Sequence, residues 1–107
     1  MTPLRLLEEA GEELEQAAIF YEGRQSMLGS VYVTAIKHML GEVSAHPQRY
    51  PLWPDPRAAD RGIRKAIVAG FPFSIAYEIY PDLVVVIAIV HASREPLYWL
   101  ARSGKKP

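Results

Sequence analysis

Two stretches of this 107-residue chain hold the side chains best suited to chemistry. The first is Arg61, Arg64 and Lys65; the second is His91, Arg94, Tyr98 and Trp99. A histidine, a tyrosine and several fixed cations can take up a proton, return one, and steady negative charge developing on a phosphate, with no metal needed. The same set makes a stacking and hydrogen-bonding edge for another macromolecule, because tyrosine and tryptophan join a broad apolar body to a polar tip. Each residue also has a plainer role. His91 at a strand end can bond to backbone, and Arg94 can hold the C-terminal segment in place through Tyr98, four residues on. Tyr98 and Trp99 can be packing anchors, and Arg61, Arg64 and Lys65 can be solvated strand and loop charges.

A third constellation carries less weight. His38, Glu42 and His46 recur at every fourth residue, which places them along one side of a helix. No further strong metal ligand lies near in sequence, and such a stripe is ordinary helix surface, so no metal is expected. Phosphate-cradling glycine loops, zinc-protease helices and nucleophile elbows are missing, which leaves nucleotide-dependent and hydrolase readings without support and predicts no cofactor.

The elements that must position these residues can be read from periodicity. Pro3 to Leu7 is expected to be a short strand. Ala10, Leu14, Ala17, Ala18 and Tyr21 then share one face of a helix whose other face is filled by glutamates, several in its first turns where the helix dipole favours them. That glutamate face is expected to meet solvent. After an interruption at Gly23 to Gly29, a second helical stripe runs through Leu28, Tyr32, Ala35, Met39 and Val43 until His46-Pro47 stops it. The two helices form an antiparallel hairpin. Residues 47–62, with Pro47, Pro51, Pro54 and Pro56 around Tyr50 and Trp53, read as an ordered loop with too much proline for a regular element.

Three strands follow, Ile63 to Ala69, Phe73 to Tyr80 and Leu83 to His91, joined by turns short enough for an antiparallel meander. Lys65 should leave its strand on the side opposite to Arg64. The run Leu83 to Val90 is apolar at every position, as a central strand covered on both faces requires. The predicted fold is α+β, in the order β-α-α-β-β-β: an antiparallel twisted sheet with an N-terminal helical hairpin on one face. The opposite face is the expected place for function.

Composition agrees with one ordered domain over residues 1–107, since a chain of this length buries roughly two-thirds of its unfolded surface. Met1 to Leu7 is too short for a signal sequence and Leu83 to Val90 is far short of a membrane span. The absence of cysteine excludes disulfide frameworks and thiol chemistry and fits a reducing compartment, so the cytoplasm is the expected location. The net charge of zero hides an asymmetry. Residues 1–46 hold three cations against seven anions, a balance of −4, and residues 47–107 hold nine against five, a balance of +4. An anionic partner should meet the second half.

The pieces Glu13-Leu14-x-x-Ala17-x-x-x-Tyr21, His46-Pro47, Ile63-Arg64, Phe71-Pro72-Phe73-x-Ile75-x-Tyr77 and His91-x-x-Arg94-x-Pro96-x-Tyr98-Trp99 occur in the order found in the RelE/ParE toxin superfamily. The Phe-Pro-Phe turn and the C-terminal ending resemble the ParE-like branch, whose members are often labelled plasmid stabilisation proteins. The resemblance implies the toxin of a type II toxin–antitoxin pair, held inactive in a hetero-oligomer by a cognate antitoxin, and it implies the same helical hairpin on a sheet. The chain departs from relatives at Leu7, where a capping Ser or Thr is common, and in being neutral where many are basic.

The superfamily divides by target. RelE-like members cut mRNA on the ribosome with several sheet-face cations and a C-terminal tyrosine or histidine; in that comparison Lys65, His91, Arg94 and Tyr98 are the catalytic candidates. Ile67 and Ser74 stand where a second lysine and an arginine are usual, and the arginine expected after the last strand falls near Ala92 or Ser93. The incomplete set favours the ParE-like reading, in which Arg61, Arg64, Lys65, Arg94, Tyr98 and Trp99 bind a target such as DNA gyrase. A domain of the same fold that binds an antitoxin but has lost toxicity is the remaining alternative.

Overall fold

The computed structural model describes residues 1–107. Its elements are β1 (Leu4–Leu6), α1 (Glu8–Arg24), α2 (Leu28–Ala45), α3 (Pro56–Ala59), β2 (Arg64–Ile67), β3 (Phe73–Tyr80) and β4 (Leu83–His91), followed by a 3₁₀ turn at Leu100–Arg102. No helix is long and apolar enough to cross a membrane. The four strands lie in the order β1-β4-β3-β2, so the apolar run of β4 is central, as its composition requires.

The sheet is mixed, which corrects the expectation of a wholly antiparallel one. β1 pairs in parallel with Val84 to Val86, whereas β2, β3 and β4 form the antiparallel meander. The reason is where the hairpin leaves the chain. Thr2 N–H donates to the carbonyl of Ser44 at 2.9 Å, and the Ser44 hydroxyl donates back to the carbonyl of Thr2. The end of α2 therefore lies beside the start of β1, and three alternating strands launched from that end finish in the direction of β1.

Local chemistry explains the helix boundaries. Leu7 precedes α1 without a side-chain cap; it is buried in the core, which a Ser or Thr there would not fill, and Glu8 and Glu9 supply the charge in the first turn. The start of α2 is capped from its neighbour, because the Glu22 carboxylate accepts from the N–H groups of Met27 and Gly29, each at 3.0 Å. The proline-rich loop contains one helical turn that was not expected from its composition. Asp55 accepts from Arg57 N–H at 2.9 Å and Pro56 sits at the first helical position, where a missing N–H costs nothing.

Both faces of the sheet are covered. On one, α1 and α2 bury Tyr32, Ile36 and Val43 against Phe73, Ile75, Val84 and Val86. On the other, where an open functional face was expected, Leu7, Ala58, Ile63, Ala76, Val85, Ile87, Ala88 and Trp99 form a second core. Trp53 meets Trp99 edge-on with ring centroids 4.8 Å apart, so the proline-rich loop and the C-terminal segment form the second layer together. Glu78 fastens that segment, accepting from the Ser103 hydroxyl at 2.6 Å and the Gly104 N–H at 2.9 Å. A buried carboxylate is thereby given partners.

The two helices cross closely at Gly29, where an added Cβ would lie 2.7 Å from the carbonyl oxygen of Ala18, whereas one at Gly41 would meet nothing within 4 Å. In urea unfolding, Gly29→Ala should lower stability by about 1–3 kcal/mol through overpacking. Gly41→Ala should raise it by about 0.5–1 kcal/mol through helix propensity. Equal effects at the two positions would refute the close crossing.

Candidate functional site

A break in the alternation of β4 builds the site. Ala76 pairs with Ala88 but Tyr77 pairs with Val86, so Ile87 is an extra residue, a β-bulge. Ile87 and Ala88 both pack into the second core, and the pattern restarts out of phase: Val84 and Val86 face the helices, and after the bulge Ile89 does so. His91, two residues on, follows Ile89 to the helix side, where its ring meets Phe73 edge-on at 5.0 Å. Without the bulge it would have turned the other way.

There His91 lines an open groove of ≈ 670 Å³ with Arg94, Tyr98, Arg102 and the exposed side of α1. Its Nδ1 accepts from the Ser93 backbone N–H at 3.0 Å, which leaves the proton of the neutral ring on Nε2. The guanidinium of Arg94 lies 4.1 Å from the centroid of the Tyr98 ring. The Tyr98 hydroxyl donates to Glu13 Oε2 at 2.6 Å. Arg102 closes the set, with Nη1 3.0 Å from Glu13 Oε1, Nη2 3.2 Å from Oε2, and Nη1 also donating to the carbonyl of Ile87 at 3.0 Å.

The groove thus gathers three of the sequence candidates, His91, Arg94 and Tyr98, and leaves the others elsewhere. Arg64 braces the proline-rich loop, donating to the carbonyl of Tyr50 at 2.6 Å. Lys65 leaves its strand on the opposite side, as alternation predicts, and its ammonium lies 4.9 Å from the centroid of the Trp53 ring. Arg61 donates to the carbonyl of Leu100 at 3.3 Å. Arg64 and Lys65 lie on the far edge strand, about 10 Å from β4 by strand spacing alone. Trp99 is 0% exposed, with its indole N–H unpaired, so its target-binding role gives way to packing.

Two residues of the groove were not among the candidates. Glu13 belongs to the glutamate stripe read as solvated, yet its side chain is 15% exposed and bonded to three partners. Arg102 comes four residues after Tyr98, the same step that separates Arg94 from Tyr98, and that repeat was the available signal. Of the helix stripe, Glu42 pairs with Arg49 at 3.3 Å, and no three His, Asp or Glu side chains stand close enough to hold a metal.

The family model of the ParE toxin of type II toxin–antitoxin systems, parDE, matches residues 4–96. The chain belongs to this family. The ParE match takes in His91 and Arg94 and ends before Tyr98 and Arg102. Among solved structures, a chain of the chromosomal ParDE toxin–antitoxin system from P. aeruginosa is similar in fold, with a TM-score of 0.67 at 15% identity over 87% of this chain and 98% of that one. No curated protein sequence matches. The protein is therefore a ParE-like toxin of the type II class, with a cognate antitoxin as its partner.

Burial, and then the Glu13 carboxylate that it donates to, push the Tyr98 hydroxyl well above the ordinary tyrosine value, and burial pushes Tyr77 up to about 12. A raised folded value means that the neutral phenol is bound better than the phenolate. Its contribution is complete below the ordinary value of 10.0 and is lost as pH rises from there towards the folded value. The thermal midpoint should fall as pH rises beyond 10.0, and the fall should be shallower in Tyr98→Phe. An identical pH slope in the variant would refute the buried Tyr98–Glu13 contact.

Proposed function

We propose that this toxin arrests growth by binding a cellular protein, DNA gyrase being the leading candidate, and that it does so in the cytoplasm without chemistry of its own. The observation that carries this reading is the state of the groups that RNA cleavage would need. Tyr98 has its hydroxyl committed to Glu13 and its ionisation suppressed, so it is poorly suited to accept or supply a proton near neutral pH. His91 has Nδ1 occupied by a backbone donor. Of the cations that could steady a phosphate, Arg61 donates to the carbonyl of Leu100 and Lys65 lies over a tryptophan ring across the sheet.

What remains accessible suits recognition: an exposed arginine stacked on a tyrosine, a histidine with a free N–H, and Phe20, which is 57% exposed on the facing helix. Arginine and aromatic side chains are the types that dominate protein-binding hot spots. On this reading residues 1–107 act as one toxin domain, with His91, Arg94 and Tyr98 on the target face and Arg61, Arg64 and Lys65 supporting the loop and strand behind it.

Induced expression in bacteria, with and without the neighbouring antitoxin gene, tests the proposal. Growth should stop without the antitoxin, plasmid supercoiling should fall, mRNA should stay intact, and purified gyrase should lose activity when the toxin is added. Arg94→Ala should weaken target binding at least tenfold, in line with a hot-spot loss above about 1.4 kcal/mol, while its thermal midpoint stays near that of the wild type. Rapid mRNA cleavage at ribosomes would overturn the proposal in favour of the RelE-like reading. Unimpaired growth would leave only the antitoxin-binding domain.

A further inference from the structure

The charges around the groove are of both signs, and they are not all spent on one another. The chain has three ion pairs, Arg49–Glu42, Arg57–Asp55 and Arg102–Glu13, and only the last lies in the groove. Glu9 and Glu12 of α1, and Arg94 beyond the end of β4, line the same groove without a charged partner. Glu9, Glu12, Gln16 and Phe20 follow one another at steps of three and four, so they share one face of α1. Arg94 is exposed, and its stacking on Tyr98 at 4.1 Å fixes the plane of the guanidinium while leaving its N–H groups free.

Between these charges the surface is aromatic. Phe20 is 57% exposed, and Tyr21, Phe73 and His91 meet in turn edge-on, with ring centroids 6.4 and 5.0 Å apart. His91 adds a free N–H at Nε2, because Nδ1 accepts from Ser93. A concave site of about 300–1,000 Å³ with an apolar lining and a few convergent polar groups suits a small molecule, and this groove holds ≈ 670 Å³. A ligand of single charge would meet one unlike and one like charge here. A dipolar ligand meets two unlike charges.

We propose that the groove binds a small aromatic zwitterion, of the class of the free aromatic amino acids. Its carboxylate takes two N–H groups of the Arg94 fork, its ammonium lies against the carboxylates of Glu12 and Glu9, and its ring lies on Phe20, Tyr21 and Phe73. The Glu13–Arg102 pair stays closed beneath it, since each of those charges already has its partner at 3.0 Å. The ligand covers Arg94, so it competes with the cellular target; that consequence alone rests on the reading of the groove as the target face.

L-Phenylalanine, titrated at neutral pH into the 107-residue toxin and followed by two-dimensional amide NMR, is the probe. Ser93, Arg94 and the amides from Glu12 to Phe20 should shift saturably, with a Kd below about 1 mM, while Ile67 on the far edge strand stays unmoved. Phenethylamine lacks the carboxylate, hydrocinnamate lacks the ammonium and glycine lacks the ring, and each should bind at least tenfold more weakly. Arg94→Gln should lower phenylalanine to the affinity of phenethylamine, and Glu9→Gln/Glu12→Gln should lower it to that of hydrocinnamate, with the circular dichroism of the wild type kept in both.

Absence of saturable shifts overturns the site. Equal binding of phenethylamine or hydrocinnamate overturns the zwitterion, and undiminished preference for phenylalanine in either variant overturns the assigned contacts. Gyrase inhibition should weaken at least tenfold at saturating phenylalanine; undiminished inhibition with the amide shifts intact removes the target-face reading and leaves the ligand site standing.

Discussion

The structure depends on the burial of β4 from both sides. Val84 to Ile89 are each at most 1% exposed, and a strand with no polar residue to offer water must be sandwiched. A helical hairpin supplies one cover. The proline-rich loop and the C-terminal segment supply the other, and Trp99 fills its centre because a large aromatic is the most effective single side chain for closing such a gap. The C-terminal stretch is therefore half scaffold and half site. Trp99 points in, and Tyr98, its neighbour, reaches the edge where α1 and β4 meet.

The bulge at Ile87 reconciles these demands. A regular β4 would direct alternate side chains to alternate faces throughout; the extra residue puts Ile87 and Ala88 together into the second core and turns Ile89 and His91 towards the helices. The same irregularity sits where β1 stops pairing, so the edge, the groove and the change of phase coincide. Glu13 and Arg102 then satisfy backbone groups that would otherwise be left without partners beside the core.

Most of the scaffold was legible in the sequence. The bounds of β3 and β4 follow from their apolar runs and the turns between them, and the hairpin follows from two helical stripes broken at Gly23 to Gly29. The parallel pairing of β1 was not legible, because three residues carry no signal of their partner's direction. Nor was the bulge, since an unbroken apolar run looks the same in either phase. The helical turn at Pro56–Ala59 escaped because prolines suggest irregularity even where Asp55-Pro56 begins a helix well. Of the site, His91, Arg94 and Tyr98 could be chosen by type and spacing. Glu13 could not be separated from its neighbours on α1, because only the tertiary position of β4 distinguishes it from a solvated glutamate. The cations Arg61, Arg64 and Lys65 lie apart from the groove, since clustering in sequence does not bring side chains to one place on a twisted sheet.

The edge-on contact of Trp53 with Trp99 has a spectroscopic meaning. These are the only two tryptophans in the chain, and both belong to the layer beneath the sheet. Intrinsic indole emission is therefore a local signal: it follows the seating of the C-terminal segment on the proline-rich loop and is insensitive to the helical hairpin. A change in emission that precedes loss of helical circular dichroism would mark that layer as the first part of the molecule to open.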